Sequence, residues 1–147
     1  KIVFELMELG PRDELPGVGA SVADALLAVH RSYLPELRAL RGLMKGAAHI
    51  TGGGLPGNLA RILPAGTAAR IDRTAWTVPS LFRVLGEAGR VPPEDLYRTF
   101  NMGVGLVVGV GAERLEEARE RMGPDSFVVG EVIDGDGTVI LEGEIRW

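Results

Sequence analysis

The run Gly52-Gly53-Gly54 breaks an otherwise apolar stretch, with Ala48-His49-Ile50-Thr51 before it and Leu55-Pro56-Gly57-Asn58 after it. Consecutive glycines are costly to order and add no side chain to a core. They suit places where the backbone takes positive φ or must approach something closely. An apolar strand that stops on His49, followed by a helix just beyond the glycines, would turn unpaired amide N–H groups toward an anion. The segment lacks the Gly-Lys-Ser or Gly-Lys-Thr ending of a P-loop and the Gly-x-Gly-x-x-Gly spacing of a dinucleotide fold. A strand-to-helix turn packed tightly against a sheet also calls for small residues, and on chemistry alone that reading carries equal weight.

A second segment, Arg98-Thr99-Phe100-Asn101-Met102-Gly103-Val104-Gly105, places polar groups and glycines ahead of the apolar run Leu106 to Val110. Gln is absent and Asn occurs only at Asn58 and Asn101, one in each glycine-rich segment. Asn101 with Arg98 and Thr99 suits a ribose, a phosphate or an amide, while a loop that caps its own backbone is the plainer alternative. His49, at the mouth of the glycine turn beside the Thr51 hydroxyl, can donate to an anion or shuttle a proton near neutral pH. His30 lies in an apolar stripe near Val29 and Tyr33 and reads as structural.

A chain of 147 residues, 46% hydrophobic and 24% charged, suits one domain with a core. A net charge of -4 with no basic block argues against nucleic acid. The lack of cysteine excludes disulfides, thiolate metal sites and cysteine nucleophiles. No apolar run reaches the length of a membrane span, and the chain reads as cytoplasmic. No metal site is expected: Asp134 and Asp136 lack the further oxygen ligands of a calcium loop. The charged run Glu116 to Arg121 reads as a solvated helix face, and Trp76 and Trp147 as covers for core edges.

Periodicity and turn signals predict mixed α and β structure. An opening helix carries Ile2, Leu6 and Leu9 on one face, and Ser21 caps a helix with the stripe Val22, Leu26 and Val29. A helix from Pro35 to about Leu40, a strand from Met44 to Ile50, a helical turn over Leu59 to Leu63 and a strand over Ala68 to Ile71 follow. Thr77-Val78-Pro79 starts a helix that Gly89 closes, and Pro92-Pro93 starts a shorter one. Residues 105 to 110 read as a strand covered on both faces and Glu113 to Met122 as a helix with Leu115, Ala118 and Met122 inward. Phe127 to Ile133 and Thr138 to Ile145 flank Asp134-Gly135-Asp136-Gly137, which predicts a tight antiparallel hairpin. The expected fold is α+β, a mixed sheet covered by helices, with a ferredoxin-like core of strand 105–110, helix 113–122 and strand 127–133.

His49-Ile50-Thr51-Gly52-Gly53-Gly54-Leu55-Pro56 with Asn58, Arg61, Leu63 and Pro64, then Trp76, Pro79, Phe82 and Tyr97 to Gly105, closely resemble the C-terminal domain of the phosphoribosylformylglycinamidine cyclo-ligases, also called aminoimidazole ribonucleotide synthetases. The similarity runs along essentially the whole chain. It implies an ATP-dependent ring closure in purine biosynthesis, with ATP and Mg²⁺ held mainly by an N-terminal domain that also builds a homodimer. By that resemblance residues 1–147 form a single C-terminal domain, and the opening Lys1 to Leu9, without an initiator Met, reads as an interior cut. The partners implied are a nucleotide substrate and the N-terminal domain, without which the chain is expected to be inactive. His49 takes the position of the family's motif histidine and is the candidate for catalytic or phosphate contact, with Thr51, Gly52, Gly53 and Gly54 as the adjoining phosphate surface and Asn101 as a polar substrate or fold contact. The chain departs from the family's Pro-Thr-Arg-Ile-Tyr element, reading Val29-His30-Arg31-Ser32-Tyr33, which leaves any contact from the missing Thr hydroxyl unsupported. Rival expectations are a sister two-domain enzyme, such as selenophosphate synthetase or thiamine-monophosphate kinase, and a non-catalytic domain that binds a phosphorylated metabolite.

Overall fold

A computed structural model describes all residues, Lys1 to Trp147. After an opening helical turn the elements run β1 (Glu14–Leu15), β2 (Ala20–Ser21), α1 (Val22–Leu26), α2 (Leu34–Ala39), β3 (Met44–His49), α3 (Gly54–Leu59), β4 (Thr67–Asp72), α4 (Ser80–Gly89), α5 (Pro93–Thr99), β5 (Leu106–Val110), α6 (Leu115–Met122), β6 (Gly130–Asp134) and β7 (Val139–Glu142). The mixed α and β class holds, with helices packed around small sheets.

Two sheets carry the architecture. β3 pairs antiparallel with β5, aligning His49 with Leu106, Ala48 with Val107 and Ala47 with Val108. β4 is the middle of a second sheet, antiparallel to β6 and parallel to β7. The strand, helix, strand order of β5, α6 and β6 is present, but β5 and β6 are not bonded to each other, so this unit bridges two sheets instead of lying in one. A cavity of about 650 Å³ opens between them, walled mainly by apolar residues including Ile71, Val107, Val129 and Val132. All five residues of β5 are therefore half-buried rather than enclosed on both faces.

The expected hairpin at Asp134 to Gly137 does not form. β6 and β7 are antiparallel to each other but lie on opposite sides of β4. The connecting loop bonds to the start of β4 instead of closing on itself: Gly135 N–H donates to the Gly66 carbonyl at 3.0 Å, and Gly137 N–H donates to Thr67 at 2.7 Å. Turn chemistry at Asp-Gly pairs fixes a reversal of direction, and the intervening strand came from earlier in the chain.

The main core gathers Ile50, Leu55, Ile71, Trp76, Val78, Leu96, Tyr97 and Met102. Fully burying each large apolar side chain stabilises by about 1.5–3 kcal/mol, so this cluster outweighs the smaller ones. The second cluster joins Val3 to Leu15, Val22, Val84 and Leu85. Its N-terminal element, Ile2–Leu6, is a π-helical turn closed by Met7 N–H on the Ile2 carbonyl at 3.0 Å. The wider turn shifts the buried position to Val3 and leaves Leu6 exposed, contrary to the Ile2, Leu6, Leu9 stripe. Ser21 does cap α1, accepting from Asp24 N–H at 3.1 Å. The helix stops at Leu26, however, so Val29 is 96% exposed and not on a buried stripe. Trp76 is buried as expected, whereas Trp147 is largely exposed.

Candidate functional site

β3 delivers His49 to the protein surface at the end of its pairing with β5. Ile50 N–H extends that pairing one step by donating to the Gly105 carbonyl at 2.9 Å. The two glycine-rich segments therefore meet side by side. Ile50 turns into the core while His49, Thr51, Gly52 and Gly53 face solvent.

The glycines divide by role. Gly54 is buried, takes φ +60°, and lies so close to α5 that a Cβ would fall 1.7 Å from the Tyr97 carbonyl oxygen. Its smallness is a packing requirement, the tight-turn explanation made specific. Gly53 takes φ +97° at the left-handed N-cap, whereas a Cβ on Gly52 would meet nothing within 4 Å. α3 begins at Gly54, earlier than the predicted turn at Leu59, and its six residues are too few for a substantial helix dipole.

Asn58 organises this loop from beneath. Its buried Nδ2 donates to the Gly54 carbonyl at 2.8 Å, with longer contacts to the carbonyls of Gly52 at 3.3 Å and Thr51 at 3.4 Å. The Thr51 carbonyl also accepts from Gly54 N–H at 2.9 Å. The carbonyls are thus drawn inward, while the amide N–H groups of Thr51, Gly52 and Gly53 have no acceptor in the protein. Successive free amides in an exposed turn form an anion-binding concavity.

His30 is not the structural histidine that its sequence position suggested. It is exposed, and its Nε2 lies 2.7 Å from Nε2 of His49. Tyr33 completes a cluster, its ring centroid 5.8 Å from His30 and 6.0 Å from His49. The Tyr33 hydroxyl packs over Gly105, where a Cβ would come within 1.9 Å of it. The Arg31 guanidinium stands 5.7 Å from the Tyr33 ring and is ion-paired with Glu36. The Glu36 carboxyl is held below the usual carboxylate range by its own backbone amide and then by Arg31, and the same pair raises Arg31.

Asn101 sits beside the cradle but its Oδ1 accepts Gly103 N–H at 3.0 Å, capping its own turn and leaving Nδ2 as its free donor. Arg98 and Thr99 point to solvent, Arg98 reaching only Asp95 at 3.9 Å. Tyr97, buried beneath Gly54, has its hydroxyl unpartnered and pushed up to about 12 by burial, with Arg73 opposing. The grouping of His30 and Tyr33 with His49 is not legible from the sequence pattern. The signal for His30 was present, since it stands where the resembled family has Thr.

The sequence pattern of the family described as AIR synthase related protein, C-terminal domain, matches residues 4–142. The chain belongs to this family. Its relatives include three proteins named phosphoribosylformylglycinamidine cyclo-ligase. That of Caldanaerobacter subterraneus subsp. tengcongensis is 40% identical over 96% of this chain and 43% of its own length. Those of Geotalea daltonii and Geobacter metallireducens are 41% and 44% identical, over 97% and 90% of this chain and 42% and 39% of their own lengths. The chain thus spans well under half of these relatives. Among solved structures, a thiamine-monophosphate kinase from Stenotrophomonas maltophilia K279a aligns over 73% of this chain and 34% of its own, with a TM-score of 0.47 and 20% identity.

Proposed function

We propose that this chain supplies the phosphate-cradling half of an ATP-dependent phosphoribosylformylglycinamidine cyclo-ligase, acting in the cytoplasm as part of a homodimer whose other half holds most of the ATP and Mg²⁺ contacts. The supporting observation is the set of free amides on Thr51, Gly52 and Gly53 beside His49, in a chain whose relatives carry that name. This donor set fits phosphoryl oxygens, which need several N–H groups and little else. Gly54 contributes by allowing the turn to seat against α5 rather than by contact with ligand.

When bound, ATP supplies a γ-phosphoryl group to the formyl oxygen of formylglycinamidine ribonucleotide, which makes that oxygen a good leaving group. The substrate's amidine nitrogen then attacks the formyl carbon, the C–O bond breaks, and phosphate departs to leave aminoimidazole ribonucleotide. The exposed amides of Thr51, Gly52 and Gly53 hold phosphoryl oxygens as charge builds on them. His49 donates a proton to those oxygens or takes one from the attacking nitrogen. Asn101 offers Nδ2 to the substrate from the neighbouring turn. Catalysis is mainly positioning and charge stabilisation.

The test is an assay for aminoimidazole ribonucleotide with formylglycinamidine ribonucleotide and ATP. The 147-residue chain alone should give no product, and the chain within its full-length protein should turn over. Ring closure by the chain alone would contradict the shared site, and absence of ring closure by the full-length protein would contradict the assigned reaction.

A further inference from the structure

The approach of the two Nε2 atoms is the most specific polar contact outside the cradle. At 2.7 Å between nitrogens, one must carry the proton and the other must accept it, because two bare lone pairs or two N–H groups would repel. The separation is also too short for both rings to bind one metal ion at the usual distance of about 2.0–2.1 Å with tetrahedral angles. A shared proton accounts for the contact as it stands. The rings are inclined by 56° with centroids 4.9 Å apart, so they meet by their nitrogen edges and are not stacked face to face.

We propose that His30 is a positioning residue that fixes the tautomer of His49: His30 Nε2–H donates to Nε2 of His49, which places the ring proton of His49 on Nδ1. The role rests on the reading of His49 as the group that serves the phosphoryl cradle. In a neutral imidazole only one nitrogen carries hydrogen, so the bond made by one nitrogen decides what the other offers. With Nε2 committed as acceptor, Nδ1 of His49 becomes a donor, matching the free N–H groups of Thr51, Gly52 and Gly53 in kind. An anion is then met by donors only.

The surroundings hold His30 in place for this task. Tyr33 packs edge-on to His30 with an interplanar angle of 68°, and its hydroxyl is seated on Gly105, the residue whose carbonyl bonds Ile50 next to His49. The Arg31 guanidinium, paired with Glu36, stands over the Tyr33 ring. Across the strand from His49 stands apolar Leu106. A Thr at position 30, as in the resembled family, has too short a side chain to reproduce an imidazole-to-imidazole bond.

The experiment is two-bond ¹H–¹⁵N spectroscopy of the histidine rings in the 147-residue chain at neutral pH, for the parent protein, His30→Ala and His30→Gln. The parent should show His49 with a proton on Nδ1 and a bare Nε2, and His30 with its proton on Nε2. His30→Ala should return His49 to the tautomer mixture of an exposed histidine. His30→Gln, whose amide nitrogen reaches about as far as the imidazole Nε2 and can still donate, should retain the Nδ1–H form. A His49 tautomer distribution unchanged between parent and His30→Ala overturns the proposal, as does a proton on Nε2 of His49 in the parent. In the full-length enzyme, His30→Ala should lower kcat by about 10-fold with KM little changed, and His30→Gln should recover most of it. If the tautomer shifts as stated while His49→Ala leaves turnover intact, the histidine pair stands and the catalytic reading of His49 fails.

Discussion

Asn58 and Gly54 are joined by a 2.8 Å hydrogen bond from the buried Nδ2 to the carbonyl oxygen, and this bond turns the glycine loop inside out. Carbonyls that would repel an anion are occupied below the surface, and amides that attract one are left above it. Removing the carboxamide takes from the buried Gly54 carbonyl one of its two donors, the other being the Asn58 backbone N–H within α3, and strips the side-chain contacts from the Gly52 and Thr51 carbonyls. Asn58→Ala should destabilise the chain by roughly 1 kcal/mol, read as a lower midpoint in urea, because a net intramolecular hydrogen bond contributes about 0.5–1.5 kcal/mol. An unchanged midpoint would show that the loop holds its shape without Asn58.

Gly54 and Gly52 should respond oppositely to a single methyl group. At Gly54 the methyl would lie 1.7 Å from the Tyr97 carbonyl at a backbone φ of +60°, so Gly54→Ala should cost more than about 3 kcal/mol or prevent folding. At Gly52, where nothing lies within 4 Å, alanine should change stability by no more than about 0.5 kcal/mol. Thermal melts of the two variants compare the sites directly, and equal losses would contradict the division of roles.

Tyr97 carries a hydroxyl that is buried and unpartnered, and burial raises its ionisation to about 12. The unfolded chain ionises near 10, so the folded state keeps the proton longer. The stability tied to that neutral phenol is complete below about pH 10 and declines as pH rises toward 12. Tyr97→Phe should remove this alkaline decline and leave stability at pH 7 equal or slightly higher, since it deletes an unsatisfied polar atom with little change in shape. A marked loss at pH 7 would mean that the hydroxyl has a partner in solution.

Glu36, Asp72, Glu117 and Asp136 are all held below their ordinary carboxylate values: Glu36 chiefly by its own backbone amide and then Arg31, Asp72 by Thr74, Glu117 by Arg114, and Asp136 by Thr138. A depressed folded value means that stability is present above the unfolded pKa and is lost as pH falls through the folded one. Melting temperature should therefore decline below about pH 4. Glu36→Gln should lower the neutral-pH value and flatten part of that acid slope, and an identical slope in the variant would exclude Glu36 from it.

Local signals in the sequence are legible where the local cause is strong. Pro79 ahead of α4, the apolar run of β5 and the inward Ala118 of α6 each appear as expected, because helix starts, unbroken apolar runs and periodic stripes act over a few residues. Partner choice was less legible. Asp-Gly pairs signal reversal, but β4 pairs with both β6 and β7 and lies between them, and the loop joining those strands donates to the Gly66 and Thr67 carbonyls at its start, a contact spanning about 70 residues of chain. The π-helical turn at Ile2–Leu6 likewise escaped a 3.6-residue pattern. In the candidate site, the glycines and His49 stood out by composition, whereas the pairing of His30 with His49 depends on α1 ending at Leu26 and leaving Val29 in solvent. A short helix cannot be distinguished from a longer one when apolar residues continue past its end.

The most direct measurement of the central claim is the turnover of the full-length enzyme with His49→Ala, followed as ATP-dependent formation of aminoimidazole ribonucleotide beside a melting curve. His49→Ala should lose roughly 10²-fold or more in kcat with the melting temperature preserved, because the side chain is exposed and its proposed role is at the reacting phosphoryl group. Unchanged turnover with a lowered melting temperature would contradict it and make the histidine a structural residue.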